Sequence, residues 1–199
     1  MNADAEEMDL RERLDLMQKM IAEGRRKQES WGWTFVLWGI AYYAAFFWAW
    51  LGNFVYAWPI TMIAAGILTS IGFARPRHRS PETTMGRAIA SIWIASGVSM
   101  FILFDAMGFG LHLSDARVFF AAASAMIGLA NAACSLTLRW KAEFLCAIVW
   151  WAAAVIACFC SQVTAVAAFL TAIFLCQIVF GAYMMVLESR QRRQVARHA

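Results

Sequence analysis

Residues 31–74 read WGWTFVLWGIAYYAAFFWAWLGNFVYAWPITMIAAGILTSIGFA and contain no Asp, Glu, Lys or Arg. As one helix, these 44 residues would be about 66 Å long, which is about twice the thickness of the hydrocarbon layer of a bilayer. The stretch therefore predicts two membrane helices, over residues 31–51 and 54–74. The chain is expected to reverse between them at Gly52 and Asn53, because both residue types favour turns.

The rest of the chain repeats this pattern. Two further apolar stretches are each one bilayer long, and a last stretch of 46 residues needs two passes. The spans predicted there cover residues 88–109, 118–138, 142–160 and 163–187. The predicted fold class is an all-α integral membrane bundle of six transmembrane helices. Residues 1–29 precede the membrane domain of residues 30–188, and a basic tail of residues 189–199 follows it.

Composition supports a membrane protein and excludes several soluble classes. Of the 199 residues, 62% are hydrophobic and 15% are charged, whereas a soluble domain carries about 25% charge. An ordinary soluble enzyme, a disordered chain and a nucleic-acid-binding module are excluded on these grounds. We therefore expect the lipid bilayer, and no nucleic acid, among the partners.

The distribution of positive charge predicts the orientation. With six spans, one side of the membrane holds the N-terminal segment, the 75–87 loop, the 139–141 loop and the C-terminal tail, which carry six, four, two and four Lys or Arg residues. The other side has only Arg117 of the 17. Positive charge in short loops stays in the cytoplasm. Both termini are therefore predicted to be cytoplasmic.

The segment before the first span is predicted to be an amphipathic cytoplasmic helix. Four apolar residues recur at spacings of four, three and four, which places them on one helical face: Leu10, Leu14, Met17 and Ile21. Residues 1–29 contain eight acids and six bases, whereas a helix that binds a membrane surface is normally basic. The stripe is therefore expected to be covered by protein: the 75–87 loop, a second copy of the chain, or a different cytoplasmic or membrane protein.

Three polar side chains in the spans form the alternative functional site. We expect Asp105 to be the only acid within a span, near the outer end of the third helix, and Asn131 and Gln177 to lie near the middle of the fourth and sixth. Ionisable groups in membranes are costly and often functional, and amides frequently bond across helices. These residues could line a polar translocation path, or they could serve packing alone.

Catalytic, cofactor and metal chemistry find little support. Asp105, His112 and Asp115 could be read as metal ligands, but Ser114-Asp115 is also a normal start for the fourth helix, with Ser114 as the N-cap and Asp115 favoured by the helix dipole. The five cysteines all fall in predicted spans and their number is odd, which argues against a disulfide framework. No Walker A loop and no His-Glu-x-x-His motif occurs. We therefore expect no enzyme, no cofactor and no metal site.

The residues that lead into the first predicted span form a distinctive sequence pattern. Met20-Ile21 near the end of a charged helix, a short basic linker, and then Trp31-Gly32-Trp33 and Leu37-Trp38-Gly39 resemble a group of small, uncharacterised bacterial multi-pass inner-membrane proteins. The resemblance covers about residues 10–45 and implies a multi-pass protein of the bacterial cell inner membrane that acts with a cytoplasmic regulator, but it implies no activity. The leading prediction is a non-enzymatic scaffold or regulatory subunit that binds a protein through its N-terminal helix; the alternative is a small transporter or channel.

Overall fold

Helices make up nearly all of the described chain. The structure is a computed structural model that describes residues 3–52, 54–74, 83–112 and 115–198; the side chains of residues 3–8, 54–55 and 195–198 lie outside this description, as do Asn53 and most of the 75–87 loop. The α-helices, in chain order, are α1 Ala3–Glu29, α2 Gly32–Trp50, α3 Phe54–Ala74, α4 Thr84–Asp105, α5 Ala116–Leu138, α6 Lys141–Phe159, α7 Gln162–Ile173 and α8 Phe180–His198. The predicted all-α class is confirmed.

Two π-helical segments interrupt this pattern. Ala106–Gly110 continues α4 at its end, and Phe174–Val179 joins α7 to α8. Segments of this kind are frequent at functional sites because they change the direction of side chains within a helix. The second segment carries two adjacent buried residues, Cys176 and Gln177.

Within the described residues, five helices are long and apolar enough to cross a membrane. They cover Tyr56–Ala74, Thr84–Gly110, Ala116–Leu138, Lys141–Phe159 and Gln162–Gln194, the last running through α7 and α8. Their length and composition confirm a chain of the membrane-embedded type. The last of these helices does not end near residue 187 but continues, as α8, to His198.

The packed centre of the bundle is the α5–α6 hairpin. In the most apolar part of α5, 56% of the residues are buried, compared with 6% in α4 and 11% in α3. The helices α3 and α4 therefore present most of their apolar surface outward. Gly128 of α5 permits this packing because a Cβ there would lie 2.5 Å from the Trp151 ring. The fully buried Trp150 packs on Phe169 of α7 with ring centroids 5.8 Å apart.

A second close contact sets the start of α2 against α8. A Cβ on Gly32 would lie 2.7 Å from the carbonyl oxygen of Gly181, and a Cβ on Gly181 would lie 2.9 Å from the carbonyl oxygen of Gly32. The two backbones can approach this closely because neither residue has a side chain. Since only two residues separate the end of α1 from Gly32, this contact also places the end of α1 beside α8.

Candidate functional site

The last turns of α1 fold back onto one end of the bundle. Gly24 has no room for a side chain, because a Cβ there would collide with Met85 at the start of α4 and would lie 2.9 Å from Leu138 at the end of α5. Gln28 and Glu29 are 0% and 3% exposed. We call residues 24–29 the docked end of α1.

A buried polar pair fastens the docked end to the bundle. The amide nitrogen Nε2 of Gln28 donates a short hydrogen bond to Oε1 of Glu143, the third residue of α6. Both side chains are fully buried. The remaining oxygens, Gln28 Oε1 and Glu143 Oε2, have no hydrogen-bond partner within the described residues. Since no cation in that part of the chain is paired with Glu143, the carboxyl group is balanced only by a neutral amide.

Charged side chains close the rim around this pair. Glu29 accepts hydrogen bonds from Gln191 Nε2 of α8 at 2.6 Å and from Arg25 Nε at 3.3 Å. The Arg25 guanidinium also lies over the ring of Trp140, 4.8 Å from its centroid, a distance at which a cation and an aromatic face attract. The docked end is therefore held by α4, α5, α6 and α8 together.

The preceding part of α1 is uncovered. Every residue from 9 to 20 is exposed in the structure, and we call this segment the arm. Three of the four predicted partner-binding residues lie there, with Leu10, Leu14 and Met17 58%, 51% and 60% exposed. The fourth, Ile21, is half-buried. Residues 75–82 of the loop that was expected as one possible cover for the stripe lie outside the described residues.

One helical face unites the arm and the docked end. Its members recur at spacings of four and three, the pattern that keeps side chains on one side of a helix: Leu10, Leu14, Met17, Ile21, Gly24 and Gln28. The last two contact the bundle, whereas the first three are more than half exposed. The same face therefore has one part that packs against the bundle and another part that is exposed.

The predicted polar path is not joined by hydrogen bonds in the described residues. Asp105 is half-buried at the end of α4. The Asn131 amide donates to the Ile127 carbonyl of its own helix at 2.8 Å, while its Oδ1 has no partner there. Gln177 is 7% exposed and its Oε1 likewise lacks a partner in that part of the chain. Two of the three residues are thus buried and incompletely bonded.

The expectation that Asp105 is the only acid within a span is wrong. Glu143 lies in α6, inside the predicted span 142–160, and it is more deeply buried than Asp105. Glu143 is the second residue of that span and follows Lys141 by two residues. The sequence alone could have identified this acid, because Glu143 is one of the 13 acids and its number falls inside the predicted span 142–160.

Near the opposite end of the bundle, Asp115 caps α5 in place of the predicted Ser114, which lies outside the described residues. Its carboxylate accepts a hydrogen bond from the Arg117 backbone nitrogen at 3.0 Å, and the Arg117 side chain bonds to it at 2.7 Å. These hydrogen bonds hold the pKa of Asp115 below its usual value. Within the described residues no three His, Cys, Asp or Glu side chains are arranged to hold a metal ion. Asp115 therefore acts on the helix terminus.

Comparison with protein-family models, with curated proteins and with solved structures found no match for this chain.

Proposed function

We propose that the chain is a non-enzymatic membrane subunit that presents its N-terminal helix to a protein partner. The observation that carries the proposal is the contrast within α1: residues 24–29 are fastened to the bundle, while residues 9–20 are exposed on every side. Leu10, Leu14 and Met17 form the apolar contact surface. A scaffold or regulatory role is consistent with a fixed base and a free recognition helix.

The partner is proposed to be a protein with an apolar groove. An isolated helix of about 12 residues is marginal in water, so the arm gains from a surface that covers its stripe. Its charged residues alternate in sign, with ion pairs between Asp9 and Arg13 and between Asp15 and Lys19. A lipid surface would favour a basic face. Helix-in-groove recognition, in which apolar residues at such spacings are the anchors, fits this pattern.

The proposed topology is six spans with both termini in the cytoplasm of a bacterium. Beyond the five helices already described, α2 has 19 residues and none of them is charged. Its Trp and Tyr side chains carry polar groups that reduce its hydropathy and suit membrane interfaces. With α2 included, 16 of the 17 Lys and Arg residues lie on one side, which supports the cytoplasmic placement of the arm. Reporter fusions to the two termini test this orientation.

The test of partner binding uses a double substitution in the stripe. Leu14→Glu combined with Met17→Glu should abolish co-purification of the partner from native membranes without changing insertion, because both side chains are exposed. The matched control is Leu16→Glu with Ala22→Glu, which adds the same charge on the other side of the helix, at two further exposed positions.

Two results are required for the proposal to stand. The partner protein must be recovered with the wild type and with the control variant, but not with the variant that carries Leu14→Glu and Met17→Glu. When purified and added back, it must also slow hydrogen exchange of residues 9–20, since a covered helix opens less often. Recovery of the same proteins with all three forms would contradict the proposal, and recovery of only a second copy would redirect it to self-association.

A second candidate function, a small transporter or channel, is favoured by the incompletely bonded amides of Asn131 and Gln177. Six spans suffice for a transporter, and polar groups in the interior of a membrane bundle commonly mark a pathway. Flux into reconstituted vesicles is expected to fall when Asp105→Asn, Asn131→Leu and Gln177→Leu are combined. Flux that survives all three changes would remove these residues from the pathway.

A further inference from the structure

The pair formed by Gln28 and Glu143 leaves two specific atoms unsatisfied. The described residues offer no hydrogen-bond partner to Gln28 Oε1 or to Glu143 Oε2. Both atoms are acceptors when the carboxyl group is ionised, so neither can donate a hydrogen bond to the other. Burial of two unsatisfied acceptors is unfavourable, and burial of an unpaired carboxylate is more so.

A single proton resolves both defects. A carboxylic acid and a primary amide are planar groups of matching shape, and they can form two hydrogen bonds in a ring. One of these bonds, from Gln28 Nε2 to Glu143 Oε1, is already present. If Oε2 carries a proton, it becomes a donor, and the only unsatisfied atom of Gln28 is an acceptor on the same amide.

We infer that Glu143 and Gln28 form a proton-binding site that locks α1 onto the bundle. When the carboxylate takes up a proton from cytoplasmic water, its O–H donates to Gln28 Oε1 and the neutral pair stays buried. When the proton returns to water, the carboxylate is left with one neutral donor in an apolar interior. Hydration of that charge then favours release of the docked end.

The surroundings of Glu143 agree with a neutral carboxyl group. The titratable groups that face it are the thiols of Cys134 on α5 and Cys146 on α6, and Cys176 of the π-helical segment lies against Cys146. From α1, Arg25 and Glu29 pair with each other. In the chain around it, Arg139 and Lys141 are exposed. None of these described groups supplies a positive charge to the carboxyl group.

Infrared spectroscopy of the purified chain in lipid tests the proton directly. At about pH 7 the exposed acids are ionised, so the wild type should show a protonated-carboxyl band that is absent from Glu143→Gln. Absence of this band from the wild type would overturn the inference, because an ionised Glu143 cannot donate to Gln28.

The lock is tested by hydrogen exchange of residues 24–29, corrected for the chemical effect of pH on exchange. We expect protection at about pH 6 and loss of protection at about pH 9 in the wild type, as the carboxyl group loses its proton. Glu143→Gln should stay protected at both values, because an amide at position 143 can make both hydrogen bonds without a proton. Gln28→Met should be unprotected at both values while the bundle stays folded.

These experiments do not depend on a protein partner. Equal loss of protection in the wild type and in Glu143→Gln would overturn the lock, since the variant has no carboxyl group at this position to titrate. Equal protection of the wild type at both pH values would overturn it as well.

Discussion

The two parts of α1 belong to one helix and one helical face, yet their surroundings are opposite. In the docked end, the face carries Gly24 and Gln28, and both are buried against the bundle. In the arm, it carries Leu10, Leu14 and Met17, and all are more than half exposed. The smallest and most polar members of the face are therefore buried, and the most apolar members are not.

This difference in burial is the basis of our proposal that the two parts of α1 pack against different surfaces. The bundle accepts a residue without a side chain beside Leu138 and an amide beside Glu143. Its geometry is thus matched to the docked end. The arm retains large apolar side chains that the described chain leaves exposed, and we propose that a protein groove covers them.

The largest expected effect comes from filling the space at Gly24. Gly24→Leu should force the docked end away from Met85 and Leu138 and destabilise the folded chain by about 1–3 kcal/mol, the usual range for overpacking. Thermal unfolding in detergent measures the change. Ala22→Leu is the control, since Ala22 is exposed two residues earlier; equal effects of the two substitutions would show that Gly24 is not packed.

A smaller effect is expected from Arg25→Ala at the rim. The substitution removes the cation from the face of Trp140 and one donor from Glu29. Because the Arg25 side chain is still 42% exposed, we expect a loss of about 0.5–1 kcal/mol. Arg25→Lys should recover part of it. Unfolding midpoints of the three proteins give the comparison, and an unchanged midpoint for Arg25→Ala would exclude a role for the rim.

The smallest effect is expected within the arm. Asp9→Asn breaks the ion pair with Arg13, in which the Asp9 side chain is 59% exposed and the Arg13 side chain 71% exposed. Exposed pairs of this kind contribute about 0.3–0.5 kcal/mol. The loss in helicity should disappear at high salt, because exposed charges are screened. A salt-independent loss, measured by circular dichroism of the α1 peptide, would show that Asp9 acts other than by charge.

Local features of the sequence predict much of this fold. Long apolar runs predict helices, because a helix satisfies its backbone hydrogen bonds within one segment of the chain, as a membrane interior requires. The spacing of Leu10, Leu14 and Met17 predicts the face of α1. The class of membrane protein and the presence of α1 follow from such patterns. The five apolar helices overlap five of the six predicted spans, all but the first.

The docked end could not be predicted in the same way. Gln28 and Glu143 are 115 residues apart in the chain, and neither has a neighbour that predicts their contact. Gly24 reads as a weak point in a helix until Met85 and Leu138 are seen beside it. These features depend on tertiary packing alone, whereas periodicity describes only one helix at a time.

The division of α1 is tested most directly by hydrogen exchange along residues 9–29 in the purified chain without partners. Slow exchange from residue 24 to residue 29, together with fast exchange from residue 9 to residue 20, is the predicted result, since only the docked end is held by the bundle. Uniform slow exchange would contradict an uncovered arm. Uniform fast exchange would contradict a docked end, and either result would remove the structural basis for the proposed partner surface.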